Sequence, residues 1–292
     1  MNPRGIISKT IVTILLSLLG IVMLAPLVIS LTNSLMTEQE IGSNYDLIGQ
    51  MTVDAANGKD SFVNLKIIPE WVSYEQYVKV LIATPTYLKL FWNSVYLVAL
   101  IIGGQVIVAA LAAYAFGKLR FRGRDKLFFI YLMTMLMPFQ VTLVPNYIIA
   151  DKLDLLNSAG AIILPGIFGA FGVFMLRQFI KTLPNDYVEA ATMDGAGHLS
   201  IFLRIILPLA KPGIAALVVL LFVDYWNMVE QPLIFLDDDD KQPLSVYLSV
   251  IQEEARGVGF AASVLYMFPM VLLFLYAETY FIQGVQLSGI KG

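Results

Sequence analysis

The 292-residue sequence contains no cysteine and a single histidine, His198. Without thiols, disulfide bonds and thiolate-ligated metal sites are excluded, and one histidine cannot supply an H-E-x-x-H zinc site. No G-x-x-x-x-G-K-[ST] segment occurs, so this chain does not cradle the phosphates of ATP. No G-x-S-x-G segment or paired nucleophile and base stands out either. These absences argue against an enzyme and predict neither a metal nor a cofactor on this chain.

Charge is also scarce: charged residues make up 14% of the sequence and apolar residues 58%. Soluble domains average about 25% and 45–50%. A bilayer span needs ~20 mostly apolar residues. Four uncharged runs are long enough, and they lie between Lys9 and Glu38, Lys89 and Lys118, Lys126 and Asp151, and Asp154 and Arg177. The net charge of −3 argues against nucleic acid as a partner.

Two more apolar segments carry isolated acids, namely Asp224 and Glu230 in 212–236 and Glu278 in 257–283. The sequence therefore predicts an all-α integral membrane protein with six transmembrane helices, at residues 10–32, 91–116, 127–149, 160–180, 213–235 and 263–284. A soluble protein would show shorter apolar runs, and the strands of a β-barrel would alternate in polarity. The first run is also longer than the apolar core of a cleaved signal peptide.

The charges of the loops predict the orientation, because short cytoplasmic loops are enriched in Lys and Arg. Loop 117–126 has five basic residues and one acid, which places it inside. Loop 33–89 has seven acids against four bases, and loop 237–256 has six acids against two bases, which places both outside. The predicted organisation is a cytoplasmic N-terminus (1–9), a first span (10–32), an extracytoplasmic loop (33–90) and a core (91–292) with a cytoplasmic segment at 181–212.

Two features of the outer loops need interpretation. Aromatic residues at 71, 74 and 77 have helical spacing, which predicts a short helix on the outer surface. The acidic run Asp237–Asp240 lacks the spaced ligands of a calcium loop and is predicted to be solvated.

The cytoplasmic segment reads "KTLPNDYVEAATMDGAGHLSIFLRIILPLAKP". Pro184 precedes a helix that Asn185 or Asp186 can cap. Gly195 and Gly197 then allow a sharp turn, because glycine reaches positive φ without a steric cost. In the stretch that follows, the predicted apolar face comprises Ile201, Phe202, Ile205 and Ile206, and Pro208 and Pro212 are expected to end it. An acidic tip of small residues suits insertion into a groove on another protein.

"EAATMDGA" followed by "IFLRIILPLAKP" resembles the EAA motif of ABC importer permeases. The form is that of the carbohydrate importers, the family that includes the maltose permease subunit MalG. Further likeness lies in "AYAFGKLRFRGRD" (113–125), "MPFQVTLVP" (137–145), "DYWNMVEQPLIFL" (224–236) and "FIQGVQLSGIKG" (281–292). The resemblance runs from about Pro69 to the end of the chain.

This resemblance implies the type I ABC importer permease fold, in a bacterial cytoplasmic membrane with both termini inside. It implies a coupling helix that docks into a cytoplasmic ATPase, with Glu189 pairing to a basic residue there and Gly195 at the turn. The implied coupling residues are Glu189, Ala190, Ala191, Asp194, Gly195 and Ala196. The implied partners are a second EAA-motif permease, two ATPase subunits that bind ATP and Mg, and an extracytoplasmic sugar-binding protein. His198 and Glu278 depart from the family pattern, which has a small or polar residue and an uncharged Gln there.

Polar residues at membrane depth are costly and usually face the bundle interior or a water-filled path. On one continuous helix at 213–235, the residues Asp224, Asn227 and Glu230 would share a face, since they are three apart. Trp226 beside them can stack on a sugar ring, and Asn93 and Gln140 are further candidates for the path. The alternative interpretation is that these groups make structural bonds to neighbouring helices.

Two other transport functions stay open at this point. A secondary transporter predicts inverted repeats with matching broken helices, and no such repeat is visible. An ABC importer for a non-sugar solute would carry a similar EAA segment, although the flanking matches favour sugars.

Overall fold

The computed structural model describes residues 3–45, 66–83, 85–250 and 256–289, and all regular structure in those ranges is helical. The α-helices are α1 (Pro3–Asn33), α2 (Glu38–Tyr45), α3 (Glu75–Val78), α4 (Pro85–Lys118), α5 (Arg124–Met135), α6 (Phe139–Lys152), α7 (Gly160–Ile167), α8 (Ala170–Thr182), α9 (Asp186–Met193), α10 (His198–Ile201), α11 (Leu207–Leu209), α12 (Lys211–Trp226), α13 (Glu230–Phe235), α14 (Leu244–Ser249) and α15 (Arg256–Gly289). π-Helical turns follow α3 (Lys79–Ala83) and α10 (Phe202–Ile206), and a 3₁₀ turn spans Asp239–Lys241.

Among the described residues, four helical stretches are long and apolar enough to span a membrane: Lys9–Asn33, Pro85–Lys118, Gly160–Thr182 and Arg256–Thr279. Two further pairs of helices pass the same test but are bent, α5 with α6 by 96° and His198–Leu209 with α12 by 71°. The predicted all-α membrane fold is confirmed. Six crossings result if each bent pair is one span.

The continuous helix predicted at 127–149 is wrong. α5 ends at Met135 and α6 begins at Phe139, with the extended residue Pro138 (φ −59°, ψ 144°) between them. Proline lacks the N–H that a helix needs and disfavours helical geometry in the residue before it. The break is therefore encoded locally.

The span predicted at 160–180 lies within the candidate span Gly160–Thr182, in which the helix is interrupted between α7 and α8. Three backbone carbonyls at this break accept hydrogen bonds from side chains, and the Gly166 carbonyl also accepts from the Gly169 N–H (3.2 Å). Tyr225 Oη donates to Gly166 O (3.2 Å), Tyr131 Oη to Phe168 O (3.2 Å) and Gln105 Nε2 to Gly169 O (3.3 Å). Irregular backbone at membrane depth is tolerated where protein groups satisfy it in this way.

The span predicted at 213–235 is likewise not one helix, since α12 ends at Trp226 and α13 begins at Glu230. In a continuous helix, Pro232 would leave the Met228 carbonyl without its donor and its ring would clash with that carbonyl. The Met228 carbonyl instead accepts a hydrogen bond from Ser245 Oγ (2.5 Å). Asp224, Asn227 and Glu230 therefore do not share one helical face.

The chain divides into two compact units, residues 1–88 with 250–268 and residues 89–249 with 269–292. In the first unit, Met36, Ile41 and Tyr45 form a small core against Phe260. The aromatic pattern at 71, 74 and 77 yields only the short α3, which begins after the exposed Trp71 and Tyr74. Residues 46–65 of the predicted outer loop lie outside the described residues.

An ion pair ties the outer segment to α2 within this first unit. Lys66 Nζ lies 3.1 Å from Glu40 Oε1, which also accepts from the Glu70 backbone N–H (2.8 Å). Burial alone would raise the pKa of Glu40, but the Glu70 hydrogen bond and the Lys66 ammonium outweigh it and lower that pKa below its ordinary value. The carboxylate thus stays ionised while it holds residues 66–70 against α2.

The core of the second unit includes Ile101 of α4, Ala161 and Ile162 of α7, and Phe235 and Leu236 at the end of α13. Trp226, Leu176 and Ile206 are also fully buried in this unit. Segment 181–212 and all six path candidates belong to this unit.

Candidate coupling segment and transport path

The helix α9 is the first part of the predicted coupling segment. It begins two residues after Pro184 and carries Asp186 and Glu189 in its first turn, where the helix dipole favours acids. Asn185 occupies the N-cap position, but its side chain makes no capping bond. Its Oδ1 accepts instead from Lys118 Nζ (2.8 Å). A contact with a distant residue has replaced the predicted cap.

The turn after α9 is built around Gly195, whose φ is +80°. Ala196 N donates to Ala191 O (2.9 Å) and Gly195 N to Thr192 O (3.0 Å). This pair of bonds is the Schellman motif, in which the residue with positive φ is usually glycine. The sharp turn predicted at Gly195 is present.

The predicted coupling residues form a mostly exposed surface. Glu189, Ala190, Asp194 and Gly195 are exposed, Ala196 is half-buried and Ala191 is buried. Within the described residues, the Glu189 side chain makes no hydrogen bond or ion pair. Its carboxylate is thus not committed to the described part of this chain.

Sequence reasoning missed three apolar residues on the same segment. Tyr187, Met193 and Leu199 are 50%, 89% and 67% exposed. Exposed apolar area is a common feature of protein interaction sites, and these three side chains supply such area. Large apolar residues in a segment of acidic and small residues were the sequence signal that could have identified them as part of an interaction surface.

The second arm runs through α10, the π-helical turn and α11. Ile201, Phe202 and Ile206 are buried, in line with the predicted apolar face, while Ile205 is half-buried. Pro212 lies in the first turn of α12 and so begins that helix, instead of ending the arm.

The two residues that depart from the family pattern are both exposed. His198 is the first residue of α10, and its Nδ1 lies 3.4 Å from Tyr114 Oη. Glu278 lies on α15.

Two predicted path residues meet in the structure, although 90 positions separate them. Gln140 Nε2 donates to Glu230 Oε2 (3.2 Å), and both residues are exposed. Asp224 and Asn227 are exposed at the end of α12, where Asn227 Nδ2 donates to Val223 O (2.7 Å). Four polar candidates therefore remain accessible.

The other two candidates occupy structural positions. Trp226 is 1% exposed, stacks on Phe222 (5.0 Å between centroids, 16°) and meets Phe91 edge-on (5.7 Å, 79°). It presents no open ring face for a sugar, which contradicts the premise of its predicted role. Asn93 Nδ2 donates to Asp240 O (2.8 Å) and Gln242 O (3.1 Å) and so holds the Asp239–Lys241 turn.

The acidic run before that turn is folded and not simply solvated. Asp238 Oδ1 accepts from the Asp240 N–H (3.0 Å), and Asp240 Oδ2 lies 2.7 Å from Lys89 Nζ. Among the described residues, no three His, Cys, Asp or Glu side chains are grouped as metal ligands would be.

A bundle of apolar helices that carries an exposed helix–turn–helix at residues 186–206 is matched by known proteins. Residues 105–286 match the family described as "Binding-protein-dependent transport system inner membrane component". The chain belongs to this family. Members are membrane components of transport systems, so the chain is a transport subunit that spans the inner membrane several times, not an enzyme, and the family has no cofactor of its own. The resemblance to ABC importer permeases stated from the EAA motif is confirmed.

Similar proteins come from several transport systems. The arabinooligosaccharides transport system permease protein AraQ of Halalkalibacterium halodurans is 30% identical over 233 residues, covering 79% of this chain and 84% of that protein. The sn-glycerol-3-phosphate transport system permease protein UgpE of Pectobacterium atrosepticum is 31% identical over 198 residues, covering 66% and 70%. A crystal structure of a bacterial ABC transporter for import of the acidic polysaccharide alginate contains a chain with the same fold. Its TM-score is 0.79 at 22% identity, with 96% and 99% of the two chains covered.

Proposed function

We propose that this chain is the permease subunit of an ATP-driven ABC importer and forms part of the transmembrane path for a sugar or oligosaccharide. An extracytoplasmic binding protein delivers the solute, and two cytoplasmic ATPase subunits bind ATP and Mg. A second EAA-motif permease completes the path. The observation that carries the proposal is the exposed helix α9, which ends in a glycine turn and bears an uncommitted Glu189 carboxylate.

The coupling surface in this proposal comprises the six EAA residues together with Tyr187, Met193 and Leu199. ATP binding closes the ATPase subunits, and α9 carries that closure to the spans, so that the path opens outward. Hydrolysis resets it. A switch of this kind requires a contact that differs in free energy between the two states, and an exposed, partly apolar helix can form such a contact.

The proposed orientation places both termini, loop 117–126 and segment 181–212 in the cytoplasm. Loops 33–90 and 237–256 face outward, and residues 91–292 form the permease core. The support is the excess of basic residues in loop 117–126 and of acids in the two outer loops.

Cysteine labelling tests this orientation, because the chain has no native cysteine. Asp239→Cys and Arg122→Cys each introduce one thiol at an exposed position. In intact cells, an impermeant thiol reagent should label Asp239→Cys within minutes and leave Arg122→Cys unlabelled until the membrane is permeabilised. The reverse pattern would overturn the orientation and the docking proposal with it.

The charge of the accessible path residues bears on the solute. Asp224 and Glu230 are exposed acids, and Gln140 and Asn227 are amides. Amides and carboxylates can bond sugar hydroxyls, whereas carboxylates repel an anion. A neutral oligosaccharide therefore fits this set better than a phosphate ester, the solute class in the name of the UgpE relative.

The deciding experiment is uptake by the complete complex, reconstituted in vesicles with its ATPase subunits and binding protein. We expect ATP-dependent uptake of labelled arabino-oligosaccharide and none of sn-glycerol-3-phosphate. Glu189→Lys should reduce uptake by at least about 100-fold, because it would break the proposed ion pair between Glu189 and a basic residue of the ATPase subunit. Breaking a partly buried ion pair and leaving one partner unpaired costs roughly 3–5 kcal/mol.

Asp151→Lys is the matched control, because it makes the same charge change at an exposed position away from the coupling segment. Its uptake should equal that of the wild type. Normal uptake by Glu189→Lys would refute the coupling role. Uptake driven by an ion gradient without ATP would instead support a secondary transporter.

A further inference from the structure

Both ends of the coupling helix are attached to one turn of α4. Lys118 Nζ donates to Leu183 O (2.5 Å) and to Asn185 Oδ1 (2.8 Å), immediately before α9. Tyr114 lies four residues earlier and therefore on the same face of α4. Its hydroxyl is 3.4 Å from His198 Nδ1, and its ring centroid is 5.4 Å from that of Phe202, after the Gly195 turn.

The helix that leads into the coupling segment is fixed to the same turn. Arg177 of α8 is 6% exposed, and its Nε donates to Phe116 O (3.2 Å). A Cβ on Gly117 would lie 3.2 Å from Ile180 Cγ2, so the backbones of α4 and α8 approach closely there. Residues 114–118, which we name the α4 anchor, thus contact the chain before, at the start of and after α9.

The coupling helix has little packing of its own. Its eight residues are too few for a stable isolated helix, and Ala191 is its one buried residue. Its position relative to the membrane is therefore set by the contacts at its two ends, and those contacts converge on the α4 anchor.

α4 is suited to carry a displacement across the membrane. It has 34 residues without an internal proline, which corresponds to a length of about 50 Å. Near its other end, Lys89 and Asn93 hold the Asp239–Lys241 turn. One helix thus links the coupling segment to that turn.

We infer that Lys118 and Tyr114 are positioning residues that join the coupling segment to α4, so that motion of the ATPase subunits moves α4 together with α9. The inference rests on the proposed function as an ATP-driven importer. Lys118 fixes the entrance of α9 through a charged donor with two acceptors, and Tyr114 fixes the exit through its ring and hydroxyl. Neither residue needs to touch the solute or the ATPase.

The test measures uptake and ATP hydrolysis in the same vesicles and compares solute transported per ATP. Lys118→Met should leave the ATPase subunits bound and active, yet lower this ratio by about 5- to 150-fold, the usual range of a coupling between sites. Lys118→Arg should restore most of the ratio, because a guanidinium can donate to both acceptors. A residue needed only for folding would not produce hydrolysis without transport.

Lys126→Met is the matched control. The same Lys-to-Met change falls there on an exposed side chain that makes no hydrogen bond or ion pair within the described part of the chain. The ratio of this variant should equal that of the wild type. An unchanged ratio in Lys118→Met, or an equal loss in Lys118→Arg, would overturn the inference.

If Lys118→Met fails to assemble, the double variant Tyr114→Phe, Asn185→Ala weakens both attachments and keeps the Tyr114 ring and the lysine. A reduced ratio in that variant supports the inference, and a normal ratio refutes it. Absence of ATP-dependent uptake by the wild-type complex would contradict the proposed function itself. Failure of the proposed function can thus be told apart from failure of the inference about Lys118 and Tyr114.

Discussion

Replacing Gly195 with proline should abolish transport while the subunit remains in the membrane. Gly195 has φ +80°, whereas proline holds φ near −65°. Proline also lacks the N–H that Gly195 donates to Thr192 O (3.0 Å). Both effects disrupt the turn that sets the direction of α9. We therefore expect uptake below detection in vesicles. An immunoblot of the membrane fraction should give a normal amount of protein.

Two substitutions control for this effect. Gly195→Asn should keep most of the activity, because asparagine tolerates the left-handed region and a Cβ at Gly195 meets no atom within 4 Å. Gly197→Ala should behave as wild type, since Gly197 has φ −73° and equally open surroundings. Transport by Gly195→Pro at the normal rate would show that the turn does not direct coupling.

Trp226→Ala and Asn227→Ala should fail in opposite ways although the residues are adjacent. Trp226 is 1% exposed within an aromatic group, so its truncation should destabilise the subunit by about 3–5 kcal/mol and deplete assembled complex. Asn227 is exposed, and Asn227→Ala should leave the complex and its basal ATPase activity intact. Uptake should fall roughly three- to tenfold, the equivalent of one hydrogen bond to the solute.

Complex yield after affinity purification, with uptake normalised to that yield, separates the two outcomes. Trp226→Phe is the control for packing, because it retains an aromatic ring against Phe222, and it should recover most of the yield. Normal yield with lowered uptake in Trp226→Ala would return this residue to the transport path. Normal uptake in Asn227→Ala would remove Asn227 from it.

Much of the architecture is readable from local sequence. The uncharged runs predict membrane helices because each charged residue within a span has a large cost that no loop can offset. Gly195 predicts a turn because positive φ is a property of one residue and its neighbours. The EAA segment, read with that turn, was sufficient to indicate the transport family.

The helix breaks were only partly readable. Pro138 and Pro232 were signals for the interruptions at 136–138 and 227–229, because a missing N–H acts on the carbonyl four residues before it. The break between α7 and α8 has a weaker signal, since Pro165, Gly166 and Gly169 lie beside it. The donors that bond the backbone carbonyls there, Gln105, Tyr131 and Tyr225, lie on other helices and could not be identified from the sequence.

The sequence by itself determined that this chain crosses a membrane several times and that its EAA segment forms an acidic helix ended by a glycine turn. Hydropathy and backbone preference depend on a few neighbouring residues, so both features can be predicted without knowledge of the packing. Only the tertiary structure decided that Trp226 is buried, that Gln140 contacts Glu230 and that the Asn185 side chain bonds Lys118 and does not cap α9. The residues of these pairs lie 90 and 67 positions apart, and only the packing of whole helices brings such distant side chains within hydrogen-bonding distance.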